Sequence, residues 1–202
     1  MTGPVPGRAS GRTGEIHDLT ATYPGGLRAR WRWGGSGSAA AVFALTEAGG
    51  ELFDLGELSG PDPDARCRAE LRIDGPAGSW TARLASTIND APTAALWDTA
   101  GLLVVRYGFH AYGLDARSGT LRWSLRSATP LVALLASSRL RHVLLQAELE
   151  TFAVEADGTI AWRIAHSDVV VGAELVGGRL VLTAYGGGRN SLDPATGRAV
   201  PG

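Results

Sequence analysis

Three glycines, Gly119, Gly158 and Gly197, stand 39 residues apart, and each closes a short turn that opens on Asp115, Glu155 or Asp193. A fixed period near 40 residues marks one supersecondary unit repeated in space. The unit is visible in 112–123 (YGLDARSGTLRW), 152–162 (FAVEADGTIAW) and 190–200 (NSLDPATGRAV). In each, an apolar run ends in an acidic turn and a second run follows. The acid caps the turn backbone with its side chain, and glycine takes the positive φ. Trp123 and Trp162 are also 39 apart, and the next position in that series is Pro201.

Two further strand-like runs precede each turn: 93–97 with 102–109, 131–135 with 143–147, and 169–175 with 180–185. Thr99-Ala100-Gly101, Ser137-Ser138 and Gly177-Gly178 separate the members of each pair. Runs this short, without helical spacing, read as strands. One unit is therefore four strands, A to D. A lone four-stranded sheet cannot cover both faces, whereas blades stacked around an axis bury each other. The expectation is an all-β chain, a β-propeller-like array of four to five four-stranded antiparallel blades in a single domain over 1–202. The regular blades are 92–126, 130–166 and 168–202.

The N-terminal half is less regular. Residues 67–84 read as a hairpin with Trp80 in its second arm, and 39–45 with 51–55 as the A–B pair before it, giving an irregular blade over 39–90. Residues 1–13 read as a flexible N-terminus. Segment 14–33 reads as an extra hairpin, followed by the Gly/Ser stretch 34–38. That hairpin is expected to complete the last blade by strand exchange between the termini, or to pair with an edge on a partner. Its Trp31 and Trp33 share one strand face and alternate with Arg30 and Arg32, so the two Trp either close the core or form an interface.

The pattern Leu114-Asp115-x-x-Ser118-Gly119-x-x-x-Trp123 resembles the repeat of the quinoprotein-like, or PQQ-like, β-propellers. The second repeat keeps Glu155, Gly158 and Trp162 in a turn one residue shorter, and the third keeps Asp193, Thr196 and Gly197. The resemblance runs from about residue 92 to 202. It implies that the Trp docks against the neighbouring blade. It extends to scaffolds as well as to PQQ enzymes, which are larger, exported and calcium-dependent. No acidic calcium cluster is evident in this sequence, and no cofactor is expected.

Composition narrows the chemistry. All 19 basic residues are Arg, so Schiff-base, pyridoxal-phosphate and P-loop lysine chemistry is excluded. The single Cys67 excludes an internal disulfide or a cysteine zinc cluster, and it is expected to be buried and inert. A net charge of -1 argues against a nucleic-acid partner. The first ten residues, MTGPVPGRAS, contain no apolar core, and the most apolar windows, 100–109 and 130–138, fall short of the roughly 20 residues that span a bilayer. A cytoplasmic protein without a membrane partner is expected.

The four histidines, His17, His110, His142 and His166, show no metal-ligand spacing, and no serine sits in a G-x-S-x-G elbow. No metal site and no catalytic residue is expected. In a propeller, B–C and D–A loops share one rim. His110, Glu148, Glu150, His166, Asp168 and Arg189 fall there and form the candidate ligand or partner rim. The run Gly186-Gly187-Gly188 reads as a B–C turn rather than a phosphate cradle. The expected function is a non-catalytic scaffold for protein–protein interaction, with self-association included. A small-ligand or carbohydrate-binding propeller and a quinoprotein-like enzyme are the alternatives. The rim residues differ between repeats, which counts against repeated sugar pockets.

Overall fold

In a computed structural model, which describes residues 16–34, 51–56 and 67–200, the short apolar runs become sixteen strands in four sheets. The first sheet holds β1 (Ile16–Tyr23), β2 (Leu27–Gly34), β3 (Glu51–Gly56), β4 (Cys67–Gly75) and β5 (Gly78–Ser86). The second holds β6 (Thr93–Trp97), β7 (Leu102–Tyr107), β8 (His110–Asp115) and β9 (Leu121–Arg126). The third holds β10 (Leu131–Leu135), β11 (Val143–Ala147), β12 (Glu150–Val154) and β13 (Ile160–Ala165). The fourth holds β14 (Val170–Val176), β15 (Arg179–Ala184) and β16 (Arg189–Leu192).

The second and third sheets are antiparallel meanders in chain order, as the repeat predicts. The fourth has three strands and then a single bridge, Leu192 to Ala199, in place of a full D strand. The first sheet has the order β1-β2-β4-β5-β3. This corrects two expectations. Segment 14–33 is not an extra hairpin that closes the last blade: β2 pairs with β4 from Arg28↔Asp74 to Gly34↔Arg68 and supplies, with β1, the inner half of the first blade. The cause is matched alternation, since Ala29 and Trp31 lie in register with Ile73 and Leu71 and all four enter one buried cluster. Segment 51–55 is not the arm of an A–B hairpin either. Its strand lies parallel to β5 at the outer edge, with Glu51 opposite Trp80. Residues 39–45 and 1–13 lie outside the described residues.

Three apolar clusters fill the three seams between successive blades. Each seam uses the same lock. The D-strand Trp of one blade lies against the C–D turn glycine of the next: Trp80 under Gly119, Trp123 under Gly158 and Trp162 under Gly197. The glycines have φ of 74°, 91° and 72°, and a Cβ at any of them would come within 2.7 Å of the Trp. Trp80 Nε1–H also donates to the Ala116 carbonyl at 3.3 Å. Of the two readings for the Trp pair, core closure fits: Trp31 is 2% exposed inside the first seam, and Trp33 is partly buried against it with His17 stacked on it at 5.2 Å. Trp123 is 7% exposed, whereas Trp162 is only partly buried, because the blade covering it lacks a full fourth strand. Cys67 opens β4 partly buried, and burial pushes its thiol pKa up, which suits an unreactive side chain. No described helix is long and apolar enough to cross a membrane.

Candidate functional site: the B–C and D–A rim

The rim is a backbone-bonded strip. The Leu131 N–H donates to the Gly108 carbonyl at 2.9 Å, and Glu148 N–H donates to Pro130 O at 3.0 Å. Val170 N–H donates to Glu148 O at 2.7 Å, and Tyr185 N–H donates to Val169 O at 2.7 Å. The D–A linkers 127–130 and 166–169 are thereby tied to the B–C turns beside them, so the rim side chains there stand on hydrogen-bonded backbone.

Of the six rim candidates, Glu150 and His166 share one network on the third blade. Thr151 Oγ1–H donates to Gln146 Oε1 at 2.5 Å, so the His166 Nε2 placed 2.7 Å from the same hydroxyl must carry the proton and donate. Gln146 Nε2–H in turn donates to the carbonyls of Ala147 at 2.6 Å and Glu150 at 3.1 Å. Arg163 forms an ion pair with Glu150, whose carboxylate also favours a charged His166. Desolvation is the larger influence, and the His166 pKa lies below its ordinary value. His166 N–H donates to Leu149 O at 2.8 Å. Thr151, Gln146 and His166 satisfy one another inside the blade, while the buried Glu150 Oε2 has no hydrogen-bond partner among the described residues.

The other candidates go elsewhere. His110 stays on the second blade, stacked on Tyr112 at 5.9 Å. Arg189 pairs with Glu174 at 2.5 Å on the far face of the fourth blade. Asp168 Oδ1 accepts from Val169 N–H at 2.7 Å, and Glu148 is held through its backbone. Among the described residues no group of three or more His, Cys, Asp and Glu could hold a metal ion. The 186–188 turn is a hairpin turn as expected, with Gly187 at φ 83° and Ala184 N–H donating to Gly188 O.

Sequence reasoning missed Arg106, which is 8% exposed. Its Nη1 donates to Asp90 Oδ2 at 3.0 Å and to Leu131 O at 2.7 Å, joining the linker before β6 to the third blade. An Arg inside the otherwise apolar LLVVRY was the available signal. It also missed His142 Nε2, 3.0 Å from Glu155 Oε1, a contact that occupies the acid whose counterpart Asp115 caps its own turn. Two apolar side chains were missed as well. Tyr185 is 81% exposed and Val171 51% exposed, and both stand at the rim end of the fourth blade. On the opposite rim a cleft of about 710 Å³ opens between the first two blades, walled by Leu27, Ile73, Pro76 and Leu96 and edged by Asp98 and Asp115.

Stacked blades locked by a repeated Trp–Gly contact define a β-propeller-like array. Residues 108–200 match the family model PQQ_2, described as outer membrane protein assembly factor BamB, and over that stretch the chain is a PQQ-like repeat array. Among solved structures, BamB from Moraxella catarrhalis is similar at TM-score 0.49 and 16% identity, over 92% of this chain and 59% of that one. A structure of HIRA residues 644–1017 is similar at TM-score 0.48 and 12% identity, over 91% of this chain and 52% of that one. Dihydro-heme d1 dehydrogenase NirN in complex with DHE is similar at TM-score 0.49 and 11% identity, over 70% of this chain and 35% of that one. The chain thus spans about half the length of the first two structures. No curated protein sequence matches it.

Proposed function

We propose that the protein is a protein-binding scaffold that engages its partner through the rim of the fourth blade. The carrying observation is that Tyr185 and Val171, the most exposed large hydrophobic residues of the described chain, both stand at the rim end of the fourth blade. An exposed Tyr and an exposed Val at one rim, with acidic Asp168 in the neighbouring linker, have the composition of an interface anchor with a polar rim. The match of residues 108–200 to a family described as an assembly factor supports the same reading. The test is crosslinked co-purification from the native host, followed by calorimetry with the recovered partner. Tyr185→Ala and Val171→Asp are expected to weaken binding at least tenfold with an unchanged unfolding midpoint. Undiminished binding by both variants would sink the proposal, as would a folded monomer that turns over a substrate through His110 or His166.

A small-ligand reading has one observation in its favour, the cleft between the first two blades. Its apolar walls suit an apolar body, and Asp98 and Arg117 at its edge supply polar contacts. A compound screen by thermal shift, with Leu96→Glu as the blocked control, separates this reading from the scaffold.

A further inference from the structure

The face of the first blade turned away from its seam carries a dense pattern of charge. Strand alternation turns Ala29, Trp31, Ala69, Leu71, Ile73, Trp80, Ala82 and Leu84 into the seam. The opposite face therefore presents Arg28, Arg30 and Arg32 on β2, Arg68, Glu70, Arg72 and Asp74 on β4, Thr81 and Arg83 on β5, and Asp18 and Thr20 on β1. On β1, β2, β4 and β5 this face carries six of the chain's 19 arginines and three acids, and Asp54 of β3 stands in register with Arg83. The corresponding face of the fourth blade carries Val181, Thr183, Ser191 and one ion pair, Glu174–Arg189.

The first blade goes further. Arg30 stands directly opposite Arg72 in register, a like-charge pairing that destabilises a sheet. Asp74 is shared between them, at 3.5 Å from Arg30 and 3.3 Å from Arg72. Arg28, exposed at the end of the same strand, makes no ion pair among the described residues. A groove of about 300 Å³ runs along this face, lined by Asp18, Thr20, Arg30, Arg32, Glu70 and Arg72.

We propose that this face docks an acidic segment of another protein, whose carboxylates fork onto Arg28, Arg30 and Arg72. Guanidinium groups bind carboxylates bidentately, and a sheet face holds them at fixed spacing. The interleaved acids select a protein over a polyphosphate. Asp18, Arg32, Glu70 and Arg83 form one cross-strand row of alternating sign. A uniformly charged backbone laid on that row meets the Glu70 carboxylate at its centre, whereas a protein can place its charges one at a time. Burial raises the Glu70 pKa and the three flanking arginines lower it, as expected for an acid built into the face. The proposal does not depend on the fourth-blade rim.

The test is fluorescence anisotropy of the full chain with a labelled peptide of alternating Glu and Ser, against a matched Gln–Ser peptide, random single-stranded DNA and phosphatidylserine vesicles. The Glu–Ser peptide should bind, and its affinity should fall about tenfold from low to physiological salt. Arg30→Gln/Arg72→Gln should weaken it about tenfold and Arg28→Gln a few-fold, while Tyr185→Ala leaves it unchanged. Equal binding of the two peptides overturns the proposal, as does no binding, insensitivity to the arginine variants, or DNA or vesicles binding as tightly as the acidic peptide. Arg28→Gln keeps the test decisive if the double variant fails to fold, because Arg28 is exposed and makes no ion pair among the described residues.

Discussion

Gly158 carries two constraints at once, a φ of 91° and the Trp123 side chain 2.5 Å from where a Cβ would sit. Gly187 has a similar φ of 83° but open space around it. Comparing the two isolates the lock from the turn. Gly187→Ala should cost about 1 kcal/mol, from backbone strain alone. Gly158→Ala should cost about 2–4 kcal/mol, because the displaced Trp adds overpacking. Urea midpoints of the two variants give the difference directly. Protonation supplies a second residue-scale test. Arg122 first, then the backbone N–H groups of Ser118 and Arg117, hold the Asp115 carboxyl at about 2, against an ordinary 3.8. A depressed acid stabilises the folded state fully above its unfolded pKa, and that contribution disappears as pH falls from 3.8 toward 2. Asp115→Asn should therefore flatten this acid limb of stability. His166 acts earlier. Its pKa is lowered by burial, so the unfolded chain takes up the proton first and stability declines as pH drops below 6.5. His166→Gln should remove that decline while leaving the lower limb in place.

At the scale of the element, the repeated unit is a D strand whose Trp reaches the next blade's C–D turn. The three locks are graded by burial: Trp80 is the most enclosed, Trp123 follows, and Trp162 is partly exposed under the three-stranded blade. Truncation of Trp80 or Trp123 to Ala should each cost about 3–5 kcal/mol. Trp162→Ala should cost roughly half as much, since less area leaves water there. Equal costs at all three sites, measured by urea unfolding, would show that the turn contact rather than burial sets the energy. Arg106 belongs to the same scale, because one buried guanidinium bridges a linker and a neighbouring blade. Arg106→Leu leaves Leu131 O without this donor and should cost about 1–3 kcal/mol.

For the whole molecule, the consequence is an array whose neighbours stabilise one another through three seams. Deleting residues 1–35 removes β1 and β2, and with them the cover over Leu71 and Ile73. Hydrogen exchange should then show β4 and β5 losing protection while β10 to β13 keep theirs. Retained protection in β4 and β5 would mean that the hairpin is dispensable to the first blade.

Local chemistry in the sequence was enough to determine the repeat. Acid–glycine turns, runs of five to eight apolar residues and the spaced Trp are short-range signals, so the turns at Gly119, Gly158 and Gly197 and the strands around them were legible. Partner choice across long separations was not, because period-2 alternation marks a strand without naming its neighbour. Only the tertiary structure decided that 27–34 pairs with 67–75 across the intervening segment, and that 51–56 lies parallel at the outer edge. The candidate rim divides in the same way. Loop position placed His110, Glu148, Glu150, His166, Asp168 and Arg189 at one rim, but side-chain direction sent Arg189 to Glu174 and tied His166 to Thr151. The arginines of β2 were visible as alternating with Trp31 and Trp33. That they meet Arg68, Arg72 and Arg83 on one face follows from strand order alone, which is set by the burial of Trp31 and Trp80 against the next blade.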